Sequence, residues 1–111
     1  MTWITLQTNE QLEQLKQSSY TKPQIIFKHS TRCATSSMAK NRLERSIQPG
    51  EVDFYFLDLL KYRSISAKIV EDFKVYHESP QILVIKNGEC IYDESHSAID
   101  MEEIIEQAMA A

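Results

Sequence analysis

The sequence predicts an α/β fold, a central mixed sheet with helices on both faces, in the order β-α-β-α-β-α-β-β-α. Three observations carry this. Short apolar runs of strand length alternate with amphipathic stretches of helix length, which favours a parallel sheet. Asn87-Gly88 separates two strand-like runs and is a tight-hairpin signal, because both turn positions need positive φ. The 111 residues are 42% apolar and 25% charged, with two Gly and three Pro, enough for one folded domain over 1–111 with little left for a disordered tail.

Each element has its own local cause. Trp3 to Leu6 reads as a short first strand. Thr8-Asn9-Glu10-Gln11 fits a capping box, so a helix starts there, with Leu12 and Leu15 as its apolar edge and an end near Ser19. Gln24 to Lys28 is a short buried strand. His29 to Cys33 is a polar break leading into a second helix over Ala34 to Ile47, with Met38, Leu43 and Ile47 near helical spacing, stopped by Pro49-Gly50. Val52 to Leu59 is apolar enough for a strand buried on both faces. Ser64 or Ser66 can cap a third helix with Ile65, Ile69, Val70 and Phe73 inside. Pro80 to Lys86 and Glu89 to Asp93 form the hairpin. A last helix starts near Asp100, with Glu103 completing a second capping box and Met101, Ile104, Ile105 and Ala108 facing inward.

The formal net charge of −4 does not favour nucleic acid or an anionic membrane as partner. No apolar run is long enough to span a bilayer, and Met1 to Leu6 lacks the pattern of a signal peptide. The expected compartment is the cytoplasm, where thiols stay reduced. Cys33 and Cys90 are then no disulfide framework; each is either an inert buried residue or a chemical one.

The order of elements places Cys33 at a chemically active position. In open α/β sheets, chemistry gathers at the carboxyl ends of strands. Cys33 lies five residues past Lys28 and immediately before a helix, whose free N–H groups and partial positive charge favour a thiolate, the nucleophile of disulfide exchange. Lys28, Arg32 and His29 add positive charge. Ser36 stands where a dithiol redoxin carries its second cysteine. Its hydroxyl can donate to a thiolate one turn away but cannot resolve a mixed disulfide, so an external thiol or a distant cysteine must. A C-x-x-S is by itself a weak motif, shared by many structural cysteines. Ser79-Pro80 opens a predicted central strand, where Pro is normally excluded. A trans Pro at an edge is one solution, and a cis bond in a tight turn is the other; the position relative to Cys33 favours cis. In the cis case Ser79 offers its backbone to a bound substrate as an added strand.

The order is that of the thioredoxin fold, and Pro80 to Glu89 resembles its proline strand and hairpin. Phe27-Lys28-His29-Ser30-Thr31-Arg32-Cys33 with Ser36, together with His77-Glu78-Ser79-Pro80-Gln81, resemble the two signatures of the YtxJ-like proteins, monothiol bacilliredoxins of bacteria that use bacillithiol. The resemblance covers nearly the whole chain. It implies a thioredoxin-like fold, with Cys33 and Ser36 as the catalytic pair and Arg32, His29, His77, Ser79 and Pro80 at the substrate. The reaction it implies removes bacillithiol from protein mixed disulfides. The partners would be S-bacillithiolated client proteins and a low-molecular-weight thiol, with bacillithiol as co-substrate and no tightly bound cofactor. The family pattern usually reads Cys-Pro-Ile-Ser. Here Cys33-Ala34-Thr35-Ser36 lacks the Pro that stiffens the first helical position, which is expected to alter the Cys33 reduction potential.

Other candidates have plainer readings. Cys90, past the hairpin turn, reads as a small hydrophobic residue, against a resolving or regulatory thiol. His29, His77 and His96 show no zinc-site spacing with the cysteines, so no metal is expected. His29 and His77 can flank the cysteine as proton donors or as contacts for a carboxylate-rich thiol; His96 reads as a solvated turn residue. Glu102, Glu103 and Glu106 suit a helix start. Phe54, Tyr55, Phe56 and Phe73 read as core. Two alternatives remain open: a redox-silent module that binds a peptide or client beside Pro80, and a monothiol redoxin using glutathione or coenzyme A.

Overall fold

Strand β2 (Gln24–His29) sits in the middle of the sheet, and its alternation sorts the two cores. A computed structural model describes residues 1–110. The other elements are β1 (Trp3–Thr5), α1 (Asn9–Ser18), α2 (Ala34–Glu44), β3 (Asp53–Asp58), α3 (Arg63–Phe73), β4 (Gln81–Lys86), β5 (Glu89–Ser95), a 3-10 turn over His96–Ala98 and α4 (Met101–Met109). The sheet runs β1-β3-β2-β4-β5, with β1, β3 and β2 parallel and β4 and β5 antiparallel. Ile25 and Phe27 pack with Ala39 and Leu43 of α2 and Ile104 and Ala108 of α4. Ile26 faces the other way, into a core with Leu12 and Leu15 of α1 and Ile65 and Ile69 of α3. Lys28 shares that second face by the same alternation. No described helix is long and apolar enough to cross a membrane.

The local signals act as expected at several junctions. Thr8 and Gln11 form the reciprocal capping box. Asn87 and Gly88 both take positive φ, 55° and 79°. The hairpin is also tied down at long range. The backbone of Asn87 and that of Gly88 donate to the carbonyl and hydroxyl of Ser19, at 3.0 and 2.8 Å, so the end of α1 holds the turn.

Several expectations change. The second helix stops at Glu44, not Ile47, and its inner face is Ser36, Ala39 and Leu43, while Met38 is 61% and Ile47 91% exposed. Small side chains let α2 lie close to the sheet, and a hydrophobicity reading overlooks them. Neither serine caps α3: Tyr62 holds the N-cap without a side-chain bond, and Ser66 is buried. Only half of the second capping box forms. Asp100 accepts from the Glu103 amide at 3.1 Å, but the Glu103 side chain takes the Gln107 amide instead.

Candidate active site

Cys33 is the N-cap of α2, in extended backbone geometry (φ −114°, ψ 115°). Its amide donates to the Ser30 carbonyl at 3.2 Å, and its carbonyl accepts from Ser37 at 3.1 Å. The thiol makes no capping bond and is half-buried. The amides of Ala34, Thr35 and Ser36 precede the first intrahelical bond, and no acidic residue occupies this turn. A developing thiolate here meets the positive end of the helix with no competing carboxylate on it.

Ser36 is fully buried, and its hydroxyl is engaged beneath the loop. It accepts the Ser30 amide at 3.1 Å and shares a 2.7 Å hydrogen bond with Nδ1 of His29. The hydroxyl donates in that bond when the imidazole carries its proton on Nε2. Burial, and then the charge of Lys40, hold His29 below the usual histidine range, which favours the neutral ring. Against the expectation of a bond from Ser36 to Cys33, Ser36 therefore ties the end of β2 to the first turn of α2. The reason is directional: three residues into the helix, the side chain turns in toward the sheet. Ser36→Ala leaves the Ser30 amide and His29 Nδ1 without this partner. Denaturant unfolding is expected to show a loss of about 2 kcal/mol; an unchanged midpoint would contradict this role.

The Ser79–Pro80 peptide bond is cis. Lys28–Gln81 is the last register pair between β2 and β4. Cys33, beyond Lys28, and Pro80, before Gln81, thus lie at the same end of neighbouring strands. The Ser79 hydroxyl is buried there without a hydrogen-bond partner. The structure separates the two histidines. His29 lies against Phe27 and Phe56 on the α2 side. His77 is exposed and, with Arg63 and Ser66, lines a recess on the α3 side. Burial, and then the Lys28 charge, lower the basicity of His77. Arg32 is exposed and makes no ion pair among the described residues.

Sequence reasoning missed a contact at this end. His96, at φ 58°, donates its amide to the Pro80 carbonyl at 3.1 Å, and its Nε2 lies 3.2 Å from the Glu78 carboxylate. The loop before α4 is thereby fastened to the loop before Pro80. The partners are separated by 16 to 18 residues, and no local signal announces them.

Cys90 sits at the other end. It pairs with Ile85, four residues along β4 from Gln81 and so about 13 Å away at strand rise. Its thiol donates to the Tyr92 carbonyl at 3.3 Å, and burial pushes its pKa up to about 11.

Residues 4–104 match the family model of the monothiol bacilliredoxin BrxC. The chain belongs to the monothiol bacilliredoxin family. Among solved structures, this bacilliredoxin superimposes with a TM-score of 0.83 on a protein described as having a thioredoxin fold, at 28% identity over 95% of this chain and 92% of that one. It matches the thioredoxin of Malassezia sympodialis at TM-score 0.80 and 20% identity, over 99% and 92% of the two chains. It matches that of Fasciola hepatica at 0.73 and 19%, over 94% of each. The two thioredoxins show the shared fold. The family and the fold together make the bacilliredoxin a thiol oxidoreductase of thioredoxin-like architecture.

Proposed function

We propose that the protein removes bacillithiol from protein mixed disulfides, in the cytoplasm, with Cys33 as its nucleophile. The observation that carries this reading is the Cys33 thiol at the start of α2, free of any capping bond, with the buried Ser36 in place of a second cysteine. The Cys33 thiolate attacks the bacillithiol sulfur. The client sulfur leaves as a thiolate and takes up a proton, and Cys33 carries bacillithiol as a mixed disulfide. A second bacillithiol thiolate attacks that disulfide, releasing bacillithiol disulfide and restoring Cys33. In this reading Ser79, just outside the β2–β4 ladder, pairs with an extended client segment, and the exposed Arg32 and His77 supply contacts from the loops that follow β2 and precede Pro80. Ser36 contributes by holding the loop and helix start.

The test is intact-mass spectrometry of the reduced protein mixed with a bacillithiolated client. One bacillithiol is expected on Cys33 and none on Cys90. Absence of a Cys33 adduct would favour a redox-silent binding module. An equally fast adduct from a glutathionylated or coenzyme A-modified client would show that bacillithiol is not the preferred thiol.

A further inference from the structure

Lys28 is unusual in this sheet. Its side chain is fully buried at the last β2–β4 pair, and its ammonium has no hydrogen-bond partner. The carboxylate whose charge reaches it belongs to Glu78, which is half exposed and hydrogen-bonded to His96. A buried ammonium without a paired counter-charge is costly, and a ligand anion would relieve that cost.

A recess of about 260 Å³ lies on the same face and at the same end, between α3 and the loop before Pro80. Leu59, Arg63, Ser66, Ala67, Val70 and His77 line it. Lys28 is not itself a lining residue; it lies behind the recess, at the last β2–β4 pair on the face that α3 covers. The recess is bordered by the start of α3, whose N-cap Tyr62 supplies no side-chain acceptor and whose first turn has no acidic residue. Asp58, before that turn, is engaged by the amide of Lys61 at 3.3 Å. The buried, unpartnered hydroxyl of Ser79 offers a further donor at this end. The lining therefore combines an apolar floor with positive charge. Its volume is below the roughly 300–1,000 Å³ of pockets for whole drug-sized ligands, which suits a fragment of a molecule.

Building on the assignment of Cys33 above, we propose that this recess receives a carboxylate of the small thiol that Cys33 takes up, with Lys28 and Arg63 as its counter-charges. The ligand class is a low-molecular-weight thiol or disulfide bearing a carboxylate. The client protein leaves as a thiol, while the acidic small molecule stays on Cys33 with its carboxylate in the recess.

The experiment compares Cys33 exchange with two small disulfides, the dicarboxylate 3,3′-dithiodipropionate and the neutral 2-hydroxyethyl disulfide. The readout is the ratio of the two rates within each protein. The wild type is expected to favour the dicarboxylate by about tenfold, the effect of one charge-assisted contact. Lys28→Met and Arg63→Gln should each bring the ratio toward one. Equal rates in the wild type, or a preference that survives both substitutions, overturns the proposal and leaves the role of Cys33 intact. If Cys33 reacts with neither disulfide, the proposed function fails. A succinate titration of the Cys33→Ser protein followed by amide NMR then decides the recess alone. Saturable shifts at Ser66 and His77 that Lys28→Met weakens support the anion site, and their absence overturns it.

Discussion

Cys33→Ala is expected to abolish disulfide exchange, and Cys90→Ala to leave it at the wild-type rate. The loss should be on the order of a thousandfold or more, as for removal of the nucleophile in covalent catalysis. The asymmetry follows from placement. Cys33 stands at the start of α2 with its thiol half-buried and unbonded. Cys90 packs at the edge of the α1–α3 core, and its thiol is pushed up to about 11. At pH 7 such a thiol is thiolate in only about one molecule in ten thousand, so it neither attacks a disulfide nor resolves one at a useful rate. It also lies too far along β4 from the Pro80 end for a bond to Cys33, since bridged cysteines need Cα atoms within about 7 Å. The check is single-turnover exchange with each variant. Residual activity in Cys33→Ala, or a dependence on Cys90, would mean that the second cysteine takes part.

Lys28→Met should stabilise the protein by on the order of 3 kcal/mol at pH 7. Burial lowers the Lys28 pKa to about 8, against 10.5 ordinarily, while the Glu78 charge works in the opposite direction. Between these two values the unfolded chain holds a proton that the folded protein has lost. Wild-type stability therefore rises with pH across this window, and below about pH 8 the full penalty of the buried ammonium is present. Methionine has similar length and no charge, so it removes both the penalty and the slope. Urea unfolding of the two proteins from pH 6 to 10.5 is the measurement. The gap should be widest below pH 8 and close above it. A variant less stable than the wild type, or a gap independent of pH, would mean that the ammonium already has a partner in the free protein. A gain in stability paired with a loss of anion preference would mark Lys28 as a residue kept for binding at the expense of the fold.

Much of this site was legible because its signals are local. The polar break between Lys28 and Ala34 put Cys33 at a strand end and a helix start. Ser79-Pro80 at the head of a strand marked the loop that the sheet places beside it. Less was legible where meaning depends on a partner distant in the chain. Ser36 looked like a neighbour of the thiol, and its hydroxyl instead binds His29 and the Ser30 amide. His96 looked like a solvated turn residue, and it fastens two loops through Glu78 and Pro80. Lys28 could be read as nearby positive charge, but its isolation could not.

The sequence by itself determined the order of elements, the caps at Thr8 and Asp100, the Asn87-Gly88 turn and the candidate nucleophile. These rest on backbone preferences within a few residues and on apolar periodicity. Tertiary structure alone decided which face each side chain took and which polar groups found partners. Register between β2, β3 and β4 sent Lys28 into the α1–α3 side and His29 toward α2, and so set them on opposite sides of the candidate site. Partnering is a long-range property: whether a buried charge or hydroxyl is satisfied depends on groups that only the folded sheet brings within hydrogen-bond reach.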